Sequence, residues 1–178
     1  MWPRKRDGAF DIPAIVDHLL TLVEQEMSRA KPNLIIPSGV SAAASGLHVV
    51  YLAAVRLEAL APDSKAEVLV EGVSAEKVRA RIEGHLVRGG LTDRDMRALG
   101  DAAGLFLSTP NKMDFDPFEP INDKILTVLL VGRAKKGVVE RRYVLILDHG
   151  GREVEVADPA GEGLTVITPT QLAAAWKL

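Results

Sequence analysis

Apolar residues recur at helical spacing through roughly the first hundred positions and switch to strand spacing only from Ile125 onward; this segregation constrains the fold most strongly. Helices first and strands afterwards predict an α+β architecture rather than the alternating order that builds a parallel sheet.

The helical half divides at its punctuation. From Asp11 to Met27 the residues Ile12, Ile15, Val16, Leu19, Leu20 and Val23 repeat as one amphipathic stripe, with Asp11 as cap and Pro13 in the first turn. Lys31-Pro32-Asn33 breaks it, and Leu34 to Ile36 is a short apolar run. Pro37-Ser38-Gly39 is turn chemistry leading into an Ala-rich segment that ends near Leu60 and is expected as a central, mostly buried helix. Beyond Pro62-Asp63, Gly72-Val73-Ser74 opens another helix with Ser74 as cap and Val78, Ile82 and Leu86 facing inward, until Gly89-Gly90 stops it. Thr92 and Asp95 then form a capping box for a helix carrying Met96, Leu99 and Ala103. Leu105 to Leu107 reads as a short strand, and Thr109 to Pro120, with Phe115 and Phe118, as a long loop.

The strand half is regular. Ile125 to Val131, Tyr143 to Leu147, Val154 to Ala157 and Leu164 to Ile167 are separated by Lys135-Lys136-Gly137, His149-Gly150-Gly151 and Gly161-Glu162-Gly163 turns, which predicts an antiparallel meander. Thr168-Pro169-Thr170-Gln171 is a capping box for a terminal helix anchored by Trp176. Neither repeats nor a composition shift divides the 178 residues, so the reading is one domain, 1–178, with residues 1–10 as a flexible N-terminus.

Composition removes several function classes. The formal charge is −2, so no strong field draws in nucleic acid or an anionic membrane. The basic Trp2-Pro3-Arg4-Lys5-Arg6 start is followed by Asp7, Gly8 and Asp11 rather than an apolar signal region, and the longest apolar run is strand-sized. A cytoplasmic protein without membrane insertion is expected. There are no cysteines, which excludes disulfides, thiolate metal sites and a thiol nucleophile.

The closing segments Arg142-Tyr143-Val144-Leu145-Ile146-Leu147-Asp148, Val154-Glu155-Val156-Ala157-Asp158-Pro159-Ala160-Gly161 and Thr168 to Trp176 resemble those of bacterial double-glycine leader peptidases. These are the papain-like domains of bacteriocin exporters, with stand-alone relatives. Leu91 to Leu105 also resembles a helix of that family, so the likeness covers about the last half of the chain, and the first half only by order of elements. The resemblance implies a papain-like fold, N-terminal helices packed on a C-terminal antiparallel sheet. It also implies a Cys-Gly pair opening the central helix, a Gln shortly before it, a His just before Tyr143 and an Asp-Pro.

In this chain the place matching Cys-Gly is Ser38-Gly39, no Gln precedes it, and Arg142 stands where the His belongs. A guanidinium has no lone pair and cannot act as a base. Only Asp158-Pro159 remains, and Asp158 is expected to pair with Arg142. The resemblance therefore implies a catalytically inactive, peptidase-like module that binds a peptide or partner protein through Ser38, Gly39, Arg142 and Asp158, with no cofactor and no metal.

Other readings stand beside it. A hydrolase or acyl transferase could use Ser38 as nucleophile, but His48 lies ten residues along the same expected helix, about 15 Å of rise away. His149 falls in a hairpin turn, and His18 and His85 on unrelated helices. Asp114, Asp116, Glu119 and Asp123 are the densest acidic group, but interrupting prolines favour a solvated loop over a cation site. Arg133, Lys135, Lys136, Arg141 and Arg142 read as a solvated basic hairpin ahead of a docking site for an acidic partner. A structural subunit of an assembly is the third alternative.

Overall fold

In the computed structural model the described residues are 12–28, 34–108, 125–149 and 151–177. The chain divides into two compact units, Met1–Asn33 and Leu34–Leu178. In the first, helix α1 spans Ile12–Ser28, where the periodicity predicts it, and Ile12, Val16, Leu19 and Leu20 of its stripe are exposed.

The second unit begins with a segment outside helix and strand, Leu34 to Ser38, then a 3-10 turn at Ala42–Ala44 and helix α2 at Ser45–Arg56. One face after another of α2 is covered, with Leu47, Val49, Val50, Leu52, Ala54 and Val55 all buried. Helices α3 (Val68–Glu71), α4 (Glu76–Arg88) and α5 (Asp93–Ala102) follow. Thr92 and Asp95 do form the expected capping box.

Four strands, β1 (Thr127–Lys135), β2 (Val138–His149), β3 (Val154–Asp158) and β4 (Gly163–Ile167), pair antiparallel in the order β1-β2-β3-β4. The architecture is α+β, as the segregated periodicities require. The first hairpin closes through Lys136 and Gly137, both at positive φ, the backbone that matches the twist of two-residue hairpins. Helix α6 (Pro169–Trp176) completes the chain with its own Thr168–Gln171 capping box.

Strand alternation gives the sheet two buried faces. Leu145 and Ala157 join α2, α4 and α5 in the larger core, with Tyr143 and Leu147 packed against it. Val144, Ile146, Val154 and Val156 face the other way, onto Leu172 and Trp176 of α6.

Local expectations fail where tertiary contacts take over. Leu105 to Leu107 is not a strand: among the described residues no strand pairs with it, the Leu105 N–H donates to the Gly100 carbonyl at 2.8 Å, and Leu107 covers Gly100, where a Cβ would collide with it. Ser74 does not cap α4; the N-cap is Ala75, and the Arg79 guanidinium takes the Val73 carbonyl at 2.8 Å and fixes the entry instead. The 1–10 segment expected to be flexible, the expected Lys31–Asn33 break, the expected loop with Phe115 and Phe118, the acidic group at 114–123 and Gly150 lie outside the described residues.

Candidate functional site

Helix α2 meets strand β2 at Ser45, which is fully buried. Its hydroxyl donates to the Ala42 carbonyl at 2.7 Å and accepts the Tyr143 backbone N–H at 2.9 Å, tying the first turn of α2 to the strand residue beside Arg142. Gly46 permits this approach: a Cβ there would stand 2.8 Å from Met96 Sδ, 3.0 Å from Leu91 Cδ1 and 3.0 Å from Tyr143 Cδ2. The Tyr143 hydroxyl donates to the Leu91 carbonyl at 3.1 Å. Burial, with help from the charges of Asp93 and Asp95, pushes that phenol up to about 12.

One residue earlier, Arg142 projects to the opposite face of β2 and meets Asp158 at the end of β3. Its Nε donates to Oδ1 at 2.8 Å and to Oδ2 at 2.9 Å, and its Nη2 donates to Oδ2 at 2.7 Å. The side chains are only 15% and 11% exposed, so the two charges neutralise each other largely out of water, the condition under which such a pair must be well formed to persist. Arg142 Nη1 is buried and has no hydrogen-bond partner among the described residues. The turn after Asp158 is shaped by the carboxylate, because a Cβ on Gly161 would collide with it.

The Ser38–Gly39 segment runs along this same turn. The Gly39 N–H donates to the Gly161 carbonyl at 3.1 Å and the Val40 N–H to the Pro159 carbonyl at 2.9 Å. A Cβ on Gly163 would lie 3.3 Å from the carbonyls of Ile36 and Pro37 and 3.7 Å from Ser38 Cβ. Ser38, Gly39, Arg142 and Asp158 thus border one turn, residues 158–163.

Two sequence-based placements need correction. Ser38-Gly39 does not open the central helix: Gly39 sits in a left-handed turn at φ +70°, Ser38 is exposed, and the helix starts at Ser45-Gly46. The segment holds two Ser-Gly pairs, and only the packing of Gly46 distinguishes the one at the helix mouth. Arg142 also leaves the basic cluster, since its guanidinium turns inward while Arg133, Lys136 and Arg141 stay exposed.

Among the described residues no hydrogen bond joins an imidazole to Ser38 or Ser45, and the Ser45 proton is given to a backbone carbonyl. His48 sits on α2, half-buried, its pKa lowered by burial and partly restored by Glu67.

A second buried polar cluster escaped the sequence reading. Asp95 is fully buried and accepts from the Thr92 hydroxyl (2.6 Å), the Thr92 N–H (2.9 Å) and Arg81 Nε (2.8 Å), with His85 Nδ1 2.7 Å away. Burial alone would raise its pKa, but the hydrogen bonds from Thr92, His85 and Arg81 outweigh that and hold the carboxyl well below the usual range. A capping-box aspartate was legible; its pairing with two side chains of α4 was not. Among the described residues no group of acidic or imidazole side chains could hold a metal ion, and no helix is long and apolar enough to cross a membrane.

No family model, curated protein or solved structure matches the chain. The fold and site define an α+β protein with a buried guanidinium–carboxylate pair beside its helix–sheet junction.

Proposed function

We propose that the Leu34–Leu178 unit is a non-catalytic, peptidase-like module that binds an extended peptide or a partner's extended segment. The observation that carries this reading is the segment Leu34 to Ser38. It lies outside any helix or strand, engages in no backbone–backbone hydrogen bond among the described residues, and presents Ile35 at 80% exposure between the inward-packed Leu34 and Ile36. A stretch outside helix and strand, with main-chain groups that no backbone hydrogen bond among the described residues uses and one protruding apolar side chain, offers what main-chain recognition of an extended chain uses.

The neighbouring pair supports the non-catalytic part. Arg142 occupies the position where the family resemblance implies a base, and Asp158 spends both its oxygens on that guanidinium. Resemblance to papain-like leader peptidases gains support from the helix-then-meander order and from the contact of the α2 mouth with β2 beside Arg142, and it remains part of the proposal.

Selection from a displayed random peptide library, followed by calorimetry on the enriched peptides, tests the reading. Enriched peptides should bind, remain intact by mass spectrometry, and lose about tenfold in affinity with Ile35→Asp, whereas Val138→Asp on the remote hairpin should leave binding unchanged. Absence of enrichment, insensitivity to Ile35, or cleavage of the peptide would each reject it.

A further inference from the structure

The two edges of the sheet are built differently. Strand β1 carries Arg133 and Lys135 and is packed by α6, whereas β4, Gly163-Leu164-Thr165-Val166-Ile167, has no charge, no proline and no bulge. Charge, proline and a bulge are among the devices that keep sheet edges from pairing, and β4 carries none of these three; only its first residue, Gly163, is approached by the Ile36–Ser38 segment. Among the described residues no backbone–backbone bond other than its ladder to β3 involves β4. On the face it shares with Ala157, its register partner, Leu164 is 52% exposed and Val166 is 57% exposed.

We infer that β4 is a self-association edge, pairing antiparallel with β4 of a second copy about a two-fold axis through Thr165. The occupant follows from the sequence of the strand. A two-fold axis normal to the sheet keeps like faces together and sets each residue opposite one whose number sums with its own to a constant even value. Centring on Thr165 places Leu164 opposite the partner's Val166 and Gly163 opposite the partner's Ile167. All five residues are then paired, and the half-exposed apolar side chains gather on one face.

Centring on Leu164 instead would set Glu162 against the partner's Val166, and centring on Val166 would run the ladder into Pro169, which has no N–H. Thr165 meets Thr165 of the partner subunit on the opposite face, a favourable cross-strand pair. The nearest acidic side chain on the apolar face, Glu155 on β3, is separated from its counterpart by three strand spacings, roughly 14 Å, and is screened. Pairing β4 with β1 of another copy would build an open chain of molecules rather than a closed pair, onto an edge guarded by basic residues.

Five residues a side make a small interface, so the dimer is weak and concentration-dependent. Sedimentation velocity over a concentration series should show the mass rising from 19.2 kDa toward twice that value and no further. Leu164→Lys or Val166→Lys should weaken association about tenfold or more, since a lysine blunts an edge, with unchanged circular dichroism. Because the chain has no cysteine, Thr165→Cys introduces a single thiol. Mild oxidation should link Thr165→Cys into dimers faster than Val138→Cys, a control on the exposed hairpin, because only the former faces its own copy at disulfide range. A monomeric mass at every concentration, growth beyond the dimer, or equal cross-linking of the two cysteine variants overturns the inference. None of these outcomes bears on peptide binding at Ile35.

Discussion

Arg142 and Asp158, sixteen residues apart on adjacent antiparallel strands, share three N–H···O contacts between 2.7 and 2.9 Å and are almost withdrawn from solvent. A pair in that state contributes less by attraction than it would cost to break, because either partner left alone is a buried charge.

Arg142→Ala should therefore destabilise the protein by about 3 kcal/mol, whereas Arg142→Met combined with Asp158→Leu should recover much of that loss. Urea denaturation of Arg142→Met, Asp158→Leu and their combination gives the coupling directly. A loss within error of zero for Arg142→Ala would mean the pair is solvated in solution.

Asp95 sets an acid limit on stability. Its folded pKa is depressed below the ordinary aspartate value of 3.8, so its contribution is fully present above that value and is lost as pH falls through the depressed folded value. Asp95→Asn should cost about 2 kcal/mol at neutral pH, and the gap between wild type and variant should narrow below about pH 4. Urea midpoints measured from pH 7 down to pH 2 check both the size and the sign.

Tyr143 should behave in the opposite direction. Its folded pKa is raised from 10.0 to about 12, so the neutral phenol is favoured by the fold and the stability tied to it is intact below pH 10 and lost as pH rises toward 12. Ultraviolet difference titration of wild type against Tyr143→Phe should show that this phenolate forms only near the upper value. Ionisation near 10 in the folded protein would disprove the burial argument.

Two helix glycines should respond with opposite sign to the same substitution. Gly46→Ala forces a methyl against Met96, Leu91 and Tyr143 and should cost about 1–3 kcal/mol. Gly84→Ala, inside α4 with nothing within 4 Å of the added Cβ, should stabilise by about 0.5–1 kcal/mol. Thermal melts of the two variants side by side decide the matter.

Features set by neighbouring residues were legible in the sequence, because their physics is local. Thr92 with Asp95 and Thr168 with Gln171 close capping boxes within one turn, and Lys136-Gly137 adopts the left-handed backbone a tight hairpin needs. The strand runs and their turns were read from alternation and turn residues, and in the structure that alternation sends Leu145 and Val144 into opposite cores. The Arg142–Asp158 pairing was also anticipated, on the strength of a family pattern rather than of spacing.

Long-range packing decided the rest. Whether Ser38-Gly39 or Ser45-Gly46 stands at the helix mouth depends on which glycine Met96, Leu91 and Tyr143 crowd, and those residues lie 45 to 97 positions from Gly46 (91 − 46 and 143 − 46). Leu105 to Leu107 has strand composition but, among the described residues, no neighbouring strand to bond, and Asp95 gained Arg81 and His85 only because α4 and α5 fold back on each other. Sequence determined the kinds of element and their ends through local hydrogen bonds and periodicity. Tertiary structure alone decided which polar groups share a buried site, since that depends on contacts between residues the chain holds far apart.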